Sequence, residues 1–222
     1  MKTNTKRLKR FLARRSIEFC LRLRSPYLTR AALALNEIQL SYEEAKIVMD
    51  VVMEKAPCDF LVFGLGNDSR LWSNINRGGN TVFVEDNEEW FQKVLSSDRQ
   101  IKAYLVNYLT VRTQWQELLE NPARLDMVLP PEIEQQKWDV ILIDGPNGWS
   151  DAKPGRMKSI FHSSRLAAYS GDVFVHDCHR EVEQAYSDRF LKPENLRVEV
   201  GWLRHYHLRN WYAGSGVTHQ HL

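Results

Sequence analysis

The stretch DFLVFGLGNDS, Asp59 to Ser69, decides the fold. Apolar residues run from Phe60 to Phe63 and break into Gly64 and Gly66, one residue apart, before the small polar side chains Asn67, Asp68 and Ser69. This predicts a buried strand over 59–64, a tight turn, and a helix near 68–76. Glycine reaches backbone angles closed to other residues and lets a ligand approach the main chain closely. The helix that follows leaves amide hydrogens without partners in its first turn. A tight turn that only ends a buried strand has the same spelling, so the next segment matters.

That segment is TVFVE, a second apolar run that starts at Thr81, 15 residues after Gly66, and ends on the acid Glu85. In dinucleotide-binding sheets an acid about 20 residues beyond the glycines takes the two ribose hydroxyls. The third glycine of that pattern is absent here, which favours a cofactor without a pyrophosphate, and S-adenosylmethionine leads. Gly64, Gly66, Asn67, Ser69 and Glu85 are its candidate contacts. Glu85 as a plain strand-end surface acid is the alternative.

Working outward, the chain alternates strands and helices. Ser41 and Glu44 spell a capping box ahead of Ala45, Val48, Met49 and Val52, and Pro57 closes that helix. Strands are expected at 59–64, 80–85, 101–107, 138–144 and 172–177, with helices near 68–76, 87–97, 156–169 and 180–190. The alternation predicts an α/β, doubly wound, mostly parallel sheet. Leu196 to Arg209 breaks the rule: two strand-like stretches meet at Gly201 with no room for a helix, which predicts a C-terminal antiparallel hairpin. Seven strands in this arrangement form the Rossmann-like architecture of class I methyltransferases. Asn121 to Gln136, with Pro122, Pro130 and Pro131, is expected to be irregular and a lid.

With 222 residues and 43% hydrophobic content, the chain can bury one sizeable core. No apolar run approaches the roughly 20 residues that span a bilayer, and Phe11 to Leu23 is broken by Arg14, Arg15, Glu18 and Arg22. Cys20, Cys58 and Cys178 are widely spaced, so neither a disulfide framework nor a cysteine zinc site is indicated, and a cytoplasmic setting is the default expectation. Charge is unevenly spread. Up to Arg30 there are ten Lys or Arg against the single acid Glu18, whereas the whole chain carries only +2. Residues 1–40 are therefore expected to form a basic, partly amphipathic arm and 41–222 the main domain. The arm suits peripheral contact with an anionic membrane, an acidic polymer, or packing on the domain, and nothing in the chain indicates nucleic acid. Its spacing says nothing of the oligomeric state.

Ligands of open α/β sheets sit beyond the carboxyl ends of the strands. The fourth strand ends ILIDGPNGW and places Asp144 at that mouth, as a catalytic and cofactor-side candidate. The fifth ends VFVHDCH and adds His176, Asp177 and His179. Asp144 and Asp177, with His176 as a further ligand, could hold a divalent cation (magnesium, manganese or calcium, with later transition metals possible through the histidine) that acidifies a hydroxyl. Alternatively Asp144 or His176 acts directly as general base. In the following loop, Trp149 offers a face for stacking on a sugar and Arg156 a fork for a carboxylate. Arg156 in the first turn of a helix, paired with a structural acid, is the alternative. Trp202, Tyr206 and Trp211 read as core or interface residues.

Three runs in this order carry a resemblance: VFGLGNDS (Val62–Ser69), DGPNGW with PGRM (Asp144–Trp149, Pro154–Met157) and FVHDCHREVE (Phe174–Glu183). From about Leu40 to Arg209 the chain resembles the plant glucuronoxylan 4-O-methyltransferase family. The resemblance implies methyl transfer from S-adenosylmethionine to a sugar hydroxyl, the 4-hydroxyl of glucuronic acid being the best-known acceptor. It matches Gly64, Gly66 and Glu85 to the cofactor side and Asp144, His176 and Asp177 to the acceptor side. Plant members are typically anchored Golgi proteins, whereas this chain begins with a basic, non-spanning arm, so the plant address is not expected to carry over and the acceptor could be another hydroxylated compound. A non-catalytic glycan-binding or scaffolding member is the competing reading, and an NAD-type oxidoreductase is disfavoured by the missing third glycine.

Overall fold

The computed structural model describes Arg30, Leu33 and residues 38–209. The expected basic arm therefore lies almost wholly outside the described residues, as do Cys20 and Trp211. Among the described residues no helix is long and apolar enough to cross a membrane, and Cys58 and Cys178 are free and buried.

Helix α1 (Tyr42–Lys55) starts as its spelling predicts: Ser41 Oγ accepts the Glu44 amide at 3.2 Å and Glu44 Oε2 accepts the Ser41 amide at 2.8 Å. Its stripe Ala45, Val48, Met49 and Val52 is buried, each large member contributing about 1.5–3 kcal/mol. Then come β1 (Asp59–Phe63), α2 (Ser69–Ile75), β2 (Asn80–Glu85), α3 (Glu88–Ser97), β3 (Lys102–Leu105), α4 (Trp115–Glu120), α5 (Pro131–Glu134), β4 (Trp138–Ile143), α6 (Met157–Leu166), β5 (Ala167–Val175), α7 (Glu181–Phe190), β6 (Leu196–Val200) and β7 (Leu203–His207). The sheet order is β3-β2-β1-β4-β5-β7-β6, with β1 to β5 parallel and β7 antiparallel to both neighbours. Successive side chains of β1 go to opposite faces. Phe60 and Val62 pack with Val48 and Trp72 on one side, and Leu61 and Phe63 with Ile160 and Tyr186 on the other.

Two expectations fail. Asn121–Gln136 is no lid: Leu125, Leu129 and Ile133 are buried in the core, so its prolines shape a packed plug that covers one sheet face. The helix expected to 169 stops at Leu166, because Ala167 already pairs with Trp138 and the ladder shifts before Asp172 meets Val140.

At the sheet end away from the strand mouths, Asp172 ties three elements together. Its Oδ1 accepts from His205 Nε2 at 2.7 Å and from His207 Nδ1 at 2.9 Å, and its Oδ2 lies 2.6 Å from Lys55 Nζ. Burial pushes the carboxyl up, but the hydrogen bonds of His205, Lys55 and His207 outweigh it and hold its pKa well below the usual range. A lowered folded pKa contributes stability above the unfolded value that is lost as pH falls. Asp172→Asn is thus expected to lose about 3 kcal/mol at pH 7 in urea unfolding. The gap to the wild type should narrow below about pH 4; a gap unchanged at pH 3 would assign the loss to packing alone.

Candidate functional site

Because β2 lies outside β1 and β5 outside β4, the chain leaves the sheet in opposite directions at the β1/β4 junction. This is the topological switch point at which open sheets bind ligands. A cavity of about 720 Å³ opens there, within the range of small-molecule sites.

Its floor is main chain. Gly64 has φ +114°, and a Cβ there would stand 3.1 Å from the Asp144 carbonyl carbon and the Gly145 nitrogen. A Cβ on Gly145 would stand 2.8 Å from Gly64 Cα. Only this glycine pair lets the two strand ends abut. Gly145 was invisible to a search for spaced glycines, since its partner is on another strand.

The β1/β2 side holds Gly64, Gly66, Asn67 and Glu85 on the cavity wall. Glu85 Oε2 accepts the Leu65 amide at 2.9 Å and Oε1 the Asn87 amide at 2.8 Å, which fixes the carboxylate and leaves each oxygen a further lone pair for a hydroxyl. Burial raises its pKa against the opposing pull of those amides. Ser69 is placed differently from expectation: it is buried behind the turn, and its Oγ accepts the Gly66 amide at 2.9 Å. It shapes the turn and does not line the cavity. Asp68 and Asp86, not singled out in the sequence, do line it. Burial first, and then the charge of Asp144, push the Asp68 carboxyl up to about 6. Three acids and no Lys or Arg from these two loops make a half-site suited to a cation. S-adenosylmethionine, with its sulfonium and ammonium, fits it.

The β4/β5 side is an ionic network. Asp144 Oδ1 lies 2.9 Å from His176 Nδ1 and accepts from Arg156 Nη2 at 2.9 Å, while Asp144 Oδ2 has no hydrogen bond among the described residues. Arg156 Nη1 donates to Asp177 Oδ2, which also lies 2.9 Å from Arg180 Nη1. Burial opposes ionisation of Asp144, but His176 and Arg156 prevail and lower its pKa; burial likewise opposes the charge on His176, and Asp144 and Asp177 raise its pKa. His176 Nε2 is buried without a hydrogen bond among the described residues, 3.7 Å from Glu44 Oε1. Glu44 in turn accepts the Trp202 amide at 2.7 Å, so the cap of α1 pins the β6–β7 turn. Asp177 has φ +62°, a left-handed conformation costly for a residue with a Cβ, of the kind held at functional sites.

This network corrects two expectations. Arg156 is only 4% exposed and its guanidinium is committed to Asp144 and Asp177, so it is the structural partner of those acids and is not free to hold a carboxylate of the acceptor. The divalent cation fares no better. The place between the two carboxylates is filled by that guanidinium, and no group of three His, Cys, Asp or Glu among the described residues could hold a metal ion. The donor set does not fit such an ion. Trp149, 67% exposed, stands at the rim. Of the residues expected in the core or at an interface, Tyr206 is fully buried, whereas Trp202 stands at the rim at 54% exposure.

Comparison with known proteins matches the model of the IRX15/IRX15L/GXM family over residues 43–127 and 121–206. The chain is 35% identical over 200 residues to glucuronoxylan 4-O-methyltransferase 2 of Arabidopsis thaliana, covering 81% of this chain and 69% of that protein. It is 36% identical over 197 residues to arabinogalactan O-methyltransferase 2 of the same plant, covering 78% and 68%. Among solved structures, the 16S rRNA N2 methyltransferase of T. thermophilus, in complex with AdoMet and guanosine, superposes with a TM-score of 0.50 at 14% identity, over 76% of this chain and 42% of that one. That likeness is one of fold.

Proposed function

The chain belongs to the IRX15/IRX15L/GXM family, and on that premise we propose that it methylates a hydroxyl of a carbohydrate, with the 4-hydroxyl of a glucuronic acid as acceptor. The observation that carries the mechanism is Asp144 on the cavity wall, where the two half-sites meet, with its Oδ2 free of hydrogen bonds among the described residues. Gly64, Gly66, Asn67, Asp68 and Glu85 would hold S-adenosylmethionine, which would supply an electrophilic methyl group there. Asp144 Oδ2 accepts the proton that the acceptor hydroxyl gives up on methylation. His176 and Arg156 hold Oδ1, so the carboxylate stays ionised and aimed. Because His176 Nε2 is turned to Glu44, the histidine acts as a positioning residue and Asp144 as the base. Asp177 orients Arg156 and Arg180.

The reading is tested by thermal shift and by transfer of a labelled methyl group to uronic-acid oligosaccharides. S-adenosylhomocysteine at a hundred times its Kd should stabilise by about 2.7 kcal/mol, and NAD should not. Glycan binding without transfer would instead support a scaffolding role. For the cofactor half, Glu85→Ala is expected to weaken S-adenosylhomocysteine at least about tenfold, since a charged acceptor of hydroxyls is worth about 1.5–3 kcal/mol. Unchanged affinity by calorimetry in the folded variant would remove Glu85 from the site.

A further inference from the structure

We propose that Arg180, flanked by Trp149 and Trp202, is the group that reads the acceptor's carboxylate, so that the site selects an acidic sugar over its neutral counterpart. This rests on the acceptor reading above and adds the residues that impose it.

The need arises because Arg156 is consumed. Its two terminal nitrogens serve Asp144 and Asp177, leaving its Nε buried without a partner. Arg180 is the other arginine on the cavity wall, and its side chain is 21% exposed. It is anchored at one corner only. Its Nη1 is buried 2.9 Å from Asp177 Oδ2, without the alignment of a hydrogen bond, while no hydrogen bond among the described residues engages its other nitrogens. A planar fork held at one corner presents the remaining edge already oriented, and such an edge matches the two oxygens of a carboxylate. Room for this pose comes from Gly148, where a Cβ would stand 3.2 Å from Arg180 Nη1 and 3.2 Å from Glu183 Oε1. On the same cavity wall Trp149 is exposed, and the ring of Trp202 rests against His179 at 4.2 Å between centroids. Flat apolar faces at a rim suit the C–H faces of sugar rings. On charge, Arg156 and Arg180 together offset Asp144 and Asp177, with Glu183 buried beside the two arginines, so this half is far less negative than the cofactor half, which carries Asp68, Glu85 and Asp86 without a Lys or Arg of its own loops.

The test is calorimetry on protein saturated with S-adenosylhomocysteine, using a xylo-oligosaccharide bearing one glucuronic acid and the same oligosaccharide with its carboxyl reduced to the alcohol. Wild-type protein is expected to prefer the acid at least about tenfold. Arg180→Gln should erase that preference, Arg180→Lys should reduce it, and Trp149→Ala should weaken both ligands by a similar factor. If the wild type shows no preference or binds neither, the uronic-acid reading falls, and Arg180's role with it. If the wild type prefers the acid and a folded Arg180→Gln keeps the preference, Arg180 alone is wrong. Should Arg180→Gln fail to fold, an undiminished preference in Arg180→Lys is the overturning result.

Discussion

Asp144→Asn is expected to lower methyl transfer by about 10²- to 10⁴-fold, the usual worth of a positioned general base, while S-adenosylhomocysteine still binds. Asparagine keeps the shape and presents no carboxylate to take the hydroxyl proton, and it leaves the glycine floor in place. The wild type should lose activity only in acid, as pH falls through a carboxyl pKa that His176 and Arg156 already hold low. His176→Gln should cost less and should shift that acid limb upward, because the group that lowers the Asp144 pKa is gone. The check is single-turnover transfer across pH with melting curves for both variants. Near-normal turnover in Asp144→Asn would move the base elsewhere, with Asp68 next in line.

Arg156→Met should be the most damaging change to stability, by about 3–5 kcal/mol in urea unfolding, because it leaves Asp144 and Asp177 buried around an uncharged side chain. Methionine has comparable length, so the loss reports charge more than volume. A variant of wild-type stability that only binds an acidic acceptor less well would show the guanidinium facing the ligand after all.

These two expectations mark where sequence reading stops. The strand-turn-helix at Gly64, the acid at Glu85, the capping box at Ser41 and the closing hairpin were legible because each is local: a period, a glycine, an acid at the end of an apolar run. Asp144, His176 and Asp177 were legible as strand-end residues, since parallel sheets gather their carboxyl ends in one place. What they do was not. Two acids and a histidine at one mouth are the same letters whether a cation or an arginine joins them, and the arginine that does so comes from the next loop and is 12 residues from one acid and 21 from the other. Ser69 and the proline segment at 121–136 were misplaced for a related reason. Their exposure is set by which element packs over them, which no local pattern records.

The main-chain floor at Gly64 and Gly145 separates what can vary in this enzyme from what cannot. A surface built of backbone offers selection no side chains to exchange, and a larger residue collides with the opposite strand end at Gly145 and is strained by its backbone angle and tight contacts at Gly64. The groups that would meet an acceptor, Trp149, Arg180 and Trp202, stand instead on the β4–α6 and β5–α7 connections and the β6–β7 turn. New acceptors can be acquired by exchanging those connections whole, with the seat of the methyl donor inherited unchanged.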